Sequence, residues 1–111
     1  MMYTDFVANG NAYKLRLNTR DVVNLEKQLG CNPMSIFGNG KTLPTVTVMV
    51  QILHASLQPY HHGINLDKAY AIFDEWLEDG NAMTDFLAVI IDIYKVSGLI
   101  PKEVEETEVK N

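Results

Sequence analysis

Polar and apolar positions follow two different periods along this chain. Tyr13, Leu15 and Leu17 alternate with Lys14 and Arg16, the period of a strand with one face buried. A second run, Tyr3 to Ala8, precedes it across Asn9-Gly10-Asn11. Asn-Gly tolerates positive φ and favours a tight hairpin turn. The two runs predict a β-hairpin with Lys14 and Arg16 on its solvent face. A lone hairpin is marginal in water, so it must pack on helices or extend a sheet with another chain.

After Leu17 the spacing becomes helical. Asn18-Thr19 signals a helix start and Asp21 complements the dipole of the first turn. Val22, Leu25, Glu26 and Leu29 follow at helical spacing, Val23 widens the stripe, and Gly30 is a natural stop. Asn32-Pro33 reads as an N-cap followed by proline in the first helical position, which predicts one short turn over Pro33–Phe37. That turn is expected to insert Met34, Ile36 and Phe37 into the core. Gly38-Asn39-Gly40-Lys41 reads as a flexible loop.

Thr42 to Tyr60 supports two readings. Thr45 to Ile52 alternates and is β-branched, as a strand would be. Val46, Met49, Val50, Leu53 and Leu57 fit a helix equally well, and no turn signal interrupts the chain before Gln58-Pro59. That uninterrupted length is long for a strand, and helix is the reading adopted. Asn65 caps a further helix, Leu66 to Asp79, with Leu66, Ala69, Tyr70, Phe73, Trp76 and Leu77 as its buried stripe. Gly80 stops it. The last helix runs from about Met83 to Ser97 and stops at Gly98. Phe86 to Tyr94 is apolar nearly all round, as in a helix that is central in the core or shared with another subunit.

The elements predict an α+β, mostly α fold: an N-terminal β-hairpin followed by about four helices in a compact bundle. Residues 1–101 form a single α-rich domain and residues 102–111 an acidic flexible tail. A length of 111 residues suits one domain, and 47% hydrophobic residues suffice for a core. The N-terminus lacks a basic start followed by an apolar run, so no signal peptide is read there. The longest apolar run, Phe86 to Ile91, is too short to span a bilayer. The single cysteine, Cys31, excludes a disulfide framework and has no basic partner or CxxC mate, so it is expected to be buried or inert. Cytoplasm is the expected location, with no membrane partner.

The net charge of −5 argues against a generic grip on nucleic acid. It is also uneven. Residues 1–41 carry five basic and three acidic residues, a net +2, and residues 42–111 carry four and eleven, a net −7. Such asymmetry can orient association between copies or with a charged partner. Four of the acids, Asp74, Glu75, Glu78 and Asp79, crowd the C-terminal end of a helix, where the dipole already presents negative charge. Each placement is unfavourable by roughly 0.3–1 kcal/mol at low salt. A docking surface for a basic partner would account for it, as would a solvated face screened by salt.

No catalytic pattern emerges. His61 and His62 are adjacent and His54 lies mid-helix, so the histidines lack the one-turn spacing of a metal pair. Aligning Gly80 with the glycine of a calcium loop puts Leu77 and Phe86 where carboxylates belong. Gly38-Asn39-Gly40-Lys41-Thr42 lacks the upstream glycine and the preceding strand of a phosphate loop. Ser35, Ser56 and Ser97 lack the glycines of a nucleophile elbow. Neither an enzyme nor a cofactor is expected.

Certain strings are nonetheless familiar in their order. Leu25-Glu26-Lys27-x-Leu29-Gly30-x-Asn32-Pro33 and Ser56-Leu57-Gln58-x-Tyr60 are the most specific. They are supported by Tyr13 to Arg20, by Ala69-Tyr70-x-Ile72-Phe73-Asp74-Glu75-Trp76 and by Ser97-Gly98-Leu99. Over residues 10–101 the chain resembles the tail assembly chaperones of long-tailed phages and related prophages of Gram-positive bacteria. The resemblance implies a non-enzymatic protein that binds the tape measure protein, helps recruit the tail tube protein, acts in the host cytoplasm and is absent from the mature virion. It also favours the helical reading of Thr42 to Tyr60. A programmed frameshift often lengthens such proteins, which would make Lys102 to Asn111 the short ending. Homo-oligomerisation fits the same reading. The rival expectation is an acidic phage-encoded regulator or inhibitor that docks a basic host protein.

Overall fold

In a computed structural model the structure describes residues 2–37 and 43–101. Residues 38–42 and 102–111, on which the expected flexible loop Gly38 to Lys41 and the expected acidic tail fall, lie outside the described residues. Strands Thr4–Ala8 (β1) and Asn11–Leu15 (β2) form an antiparallel hairpin in which Ala8 pairs with Asn11. The intervening Asn9 and Gly10 have φ of 52° and 77°, the double positive φ that an Asn-Gly turn supplies at least cost. Helices follow at Thr19–Leu29 (α1), Val46–Leu57 (α2), Leu66–Glu78 (α3) and Phe86–Ser97 (α4). A 3₁₀ turn, Pro33–Phe37, lies between α1 and α2, and another, Met83–Asp85, leads into α4. The hairpin-plus-four-helices α+β fold is therefore the one adopted.

The helix ends follow from their caps. Asn18 precedes α1 and donates its backbone N–H to Asp21 Oδ2 (3.0 Å). Gly30, at φ 73°, closes the same helix by donating to Glu26 O, a left-handed C-terminal stop that glycine adopts without strain. Thr45 Oγ1 accepts from Val48 N at the start of α2, and Asn65 Oδ1 accepts from Lys68 N at the start of α3. The segment from Val46 to Ile52 is helical because Thr45, its N-cap, satisfies an orphan amide while Met49, Val50 and Ile52 are buried in the core.

Those partners make α2 the central element. It packs against α1, α3, β2 and α4 and buries Met49, Val50, Ile52, Leu53, Ala55, Ser56 and Leu57. Ser56 Oγ is satisfied by Leu53 O (2.9 Å). A four-ring cluster closes the core on the other side. Phe86 lies 6.0 Å from Phe6, 5.2 Å from Phe73 and 5.5 Å from Trp76 between ring centroids, which joins β1, α3 and α4.

Packing corrects several expectations. In α3 the buried stripe is Ala69, Ile72, Phe73 and Trp76, whereas Leu66 is 39% and Tyr70 41% exposed. The helix is turned so that Ile72 replaces them, because its contacts are with α2 and β1. Helix α4 is not central. It buries Phe86, Ile90, Ile93 and Tyr94 and leaves its opposite side uncovered. Arg16 is half-buried rather than solvated. Met34, Ile36 and Phe37 rest half-buried against the core instead of inside it. Cys31 is exposed.

The 3₁₀ turn before α2 is anchored by a buried hydrogen bond, Tyr94 Oη donating to Pro33 O (2.9 Å). Burial pushes the Tyr94 hydroxyl's ionisation upward, which favours the protonated, donating form. Its ring also meets Phe37 edge-on at 5.9 Å. Tyr94→Phe keeps the ring and strands a buried carbonyl, so we expect a loss of about 1–2 kcal/mol in chemical denaturation. A variant as stable as the wild type would show that the hydrogen bond contributes nothing net.

Candidate interaction surfaces

The four acids at the end of α3 do not form one surface. Asp74 and Glu78 are exposed one turn apart, and Glu75 beside them is half-buried. Asp79 is engaged elsewhere, with its Oδ2 accepting the backbone N–H of Asn9 at 2.8 Å. Asn9 opens the hairpin turn in its left-handed conformation, and the carboxylate satisfies an amide there. This accounts for a carboxylate at a helix end that disfavours it, because a charge-assisted bond to an amide outweighs the dipole term. The partner is 70 residues away in sequence, so neighbouring residues gave no sign of it. Asp74, Glu75 and Glu78 remain as an outward acidic ridge.

Basic residues lie elsewhere. Arg20 and Lys27 line a surface depression on α1 together with Thr19, Val23 and Asn24. Arg20 also borders a second depression with Asn18, Asp21, Gln58, Pro59 and His62. Both α1 and α3 pack on α2, so the sequence's charge asymmetry becomes a basic face on one helix and an acidic end on another.

A feature the sequence left open is the outer side of α4. Leu87 and Ile91 lie one turn apart on α4, and Met83 precedes them by the same spacing in the 3₁₀ turn that leads into the helix; Met83 is 42% and Ile91 36% exposed. Ala88 beside them is exposed and Leu87 is half-buried. Asp92 and Lys95 continue the side toward the C-terminus. Met83 is an exposed methionine, whereas Met34 is half-buried and Met49 is in the core.

The histidines are dispersed in role. The backbone carbonyl of His54 accepts from Gln58 Nε2 (2.9 Å). His62 is exposed. His61 turns its Nε2 to the Lys14 backbone N–H at 2.9 Å and its ring edge-on to Tyr13. Among the described residues, no group of three or more His, Cys, Asp or Glu is placed to hold a metal ion. No helix among them is long and apolar enough to cross a membrane.

The geometry therefore offers two kinds of recognition, an apolar ridge on α4 and an acidic ridge at the end of α3. A family model described as "Family of unknown function (DUF6096)" matches residues 4–111. Neither a curated protein nor a solved structure matches.

Proposed function

We propose that this chain, which belongs to the DUF6096 family of unknown function, is a non-enzymatic phage tail assembly chaperone. In this reading it binds the tape measure protein and helps recruit tail tube subunits. It acts in the host cytoplasm and is left out of the mature virion. The observation that carries the reading is the outward apolar row of exposed Met83, half-buried Leu87 and exposed Ile91. An amphipathic helix presents apolar residues at the same spacing and is the natural occupant of such a ridge. Met83 adds an adaptable side chain that suits a partner with many similar helices. The strings Leu25 to Pro33 and Ser56 to Tyr60, similar to those of tail assembly chaperones, supply the identity of the partner.

The rival reading, an acidic regulator that docks a basic host protein, draws on Asp74, Glu75 and Glu78. Its fourth acid, Asp79, is bound to Asn9. Co-expression with the tape measure protein encoded nearest to this gene separates the two. The expected result is a higher soluble yield of that protein and a complex that co-elutes in gel filtration. Ala88→Glu with Ile91→Glu should abolish the complex and leave stability within about 0.5 kcal/mol, as for other surface changes. Glu75→Lys with Glu78→Lys should preserve it. Loss of the complex only in the charge-reversed variant would favour the rival, and the absence of any complex would overturn the chaperone reading.

A further inference from the structure

Strand β2 turns one edge to β1 and the other toward the end of α2 and the loop after it. Two amides on this second edge are capped. Arg16 N–H donates to Ser56 O (2.9 Å), and Lys14 N–H donates to His61 Nε2 (2.9 Å). The first cap is a backbone carbonyl and insensitive to pH. The second is an imidazole lone pair, which exists only in the neutral ring, with the remaining proton on Nδ1. We propose that His61 is a protonation-gated latch that holds the α2–α3 loop against the outer edge of β2 and releases that edge when the ring takes up a proton.

The surroundings fit a latch. The backbone of His61 is fixed on both sides, His61 N donating to Leu57 O (2.7 Å) and Ile64 N donating to His61 O (3.3 Å). Its ring is therefore aimed rather than free. Tyr13 meets it edge-on with centroids 5.2 Å apart. The Lys14 ammonium lies over the rings of Tyr3 and Tyr60, at 4.9 and 5.8 Å from their centroids, and those two rings meet edge-on. The ionisable groups around the latch are thus Lys14 and Tyr13 from β2, Tyr3 from β1, and Tyr60 and His62 from the loop itself. Asp5, opposite Lys14 in the hairpin register, is the carboxylate of that strand pair. Partial burial, followed by the Lys14 charge, lowers the affinity of His61 for a proton. A ring held neutral in the folded state gives stability that is fully present above the ordinary histidine value of about 6.5 and is lost as pH falls through the lowered one. Below that point two donors face each other, and Lys14 N–H is freed on a strand edge, where an unpaired amide is open to another strand.

The test is NMR on the full chain at pH 8 and pH 5. At pH 8 the imidazole nitrogens of His61 should report a proton on Nδ1 and none on Nε2. The protection factor of the Lys14 amide should fall up to about tenfold at pH 5, the equivalent of one net hydrogen bond, while that of Arg16 changes less. In His61→Gln the side-chain carbonyl accepts from Lys14 without titrating, so the pH dependence at Lys14 should vanish. In His62→Gln it should persist. A proton on Nε2 at pH 8, or a wild-type pH response equal to that of His61→Gln, overturns the latch.

Discussion

Replacing Phe86 with alanine is expected to destabilise the fold by about 3–5 kcal/mol. The side chain is fully buried and its ring, like that of Trp76, touches all three others of the aromatic cluster, Phe6 from β1 and Phe73 and Trp76 from α3. Its removal deletes transfer energy, opens a cavity, and loses edge-to-face contacts worth about 0.5–1.5 kcal/mol each beyond burial. The neighbours cannot collapse easily into the space, since they are held by different elements. Against a total stability of roughly 5–15 kcal/mol the loss is large. It should lower the melting temperature by more than about 10 °C, at roughly 4–8 °C per kcal/mol for a domain of this size. Circular dichroism melts and urea titrations measure it, with Tyr70→Ala on the exposed side of α3 as the control near zero. A loss below about 1.5 kcal/mol would show that the ring cluster is not closely packed.

Much of this fold was legible because its signals are local. Asn18 and Asn65 each precede a helix, Gly30 and Gly98 end two, and Asn9-Gly10 can make little other than a hairpin turn; the Thr45 cap of α2 shows only in the structure. Faces were harder to read, since they depend on what lies opposite. In α3 two stripes satisfy helical spacing, one through Leu66 and Tyr70 and one through Ile72. Only the packing of Phe73 and Trp76 on the rest of the aromatic cluster selects between them. In α4 an almost uniformly apolar sequence carries no information about orientation. Position in the bundle decides instead, and α2 fills the centre. The consequence for the site is direct: the same lack of amphipathic contrast that hid the orientation of α4 leaves Leu87 and Ile91 on its open side, beside Met83 in the preceding turn.

The candidate site was legible in part for the same reason. Asp74 and Glu78 are exposed and Glu75 half-buried on one helix, and their grouping follows from local spacing alone. Asp79 is bound to Asn9 and His61 to Lys14, pairs whose members are far apart in sequence and whose bonds involve a backbone amide that no residue type announces. Pattern reading assigns such side chains to the surface by default.

Arg16 gives the sharpest case of that default, and its replacement by methionine carries the second large effect. An alternating strand places Arg16 on the solvent side, yet its guanidinium turns along the chain to three acceptors. Nη1 donates to Val96 O (2.7 Å) and Met2 O (2.9 Å), and Nε donates to Asn18 Oδ1 (3.0 Å). It thereby ties the N-terminal segment, the start of α1 and the end of α4 together. The carbonyl of Val96 is one of the C-terminal carbonyls that a helix leaves unsatisfied, and a cation is favoured there. Beside it Leu17 N–H donates to Ser97 Oγ (2.8 Å), so this corner fastens α4 to the hairpin by two bonds. Arg16→Met retains the apolar stem and strands the acceptors. A loss of about 1.5–3 kcal/mol is expected, the range for hydrogen bonds from a charged donor. Arg16→Lys should recover only part of it, because an ammonium cannot serve acceptors in the directions set by a planar fork. Lys14→Met, one alternation earlier and with its ammonium over two rings, should cost less than about 1 kcal/mol. Amide exchange adds a readout that global stability does not supply: protection should fall first at Leu17 and in the last turn of α4, and remain at Val50 and Leu53 in the centre of α2. If Arg16→Met unfolds within about 0.5 kcal/mol of wild type, the range of an ordinary surface change, α4 is held by its buried face alone and the corner contributes only orientation.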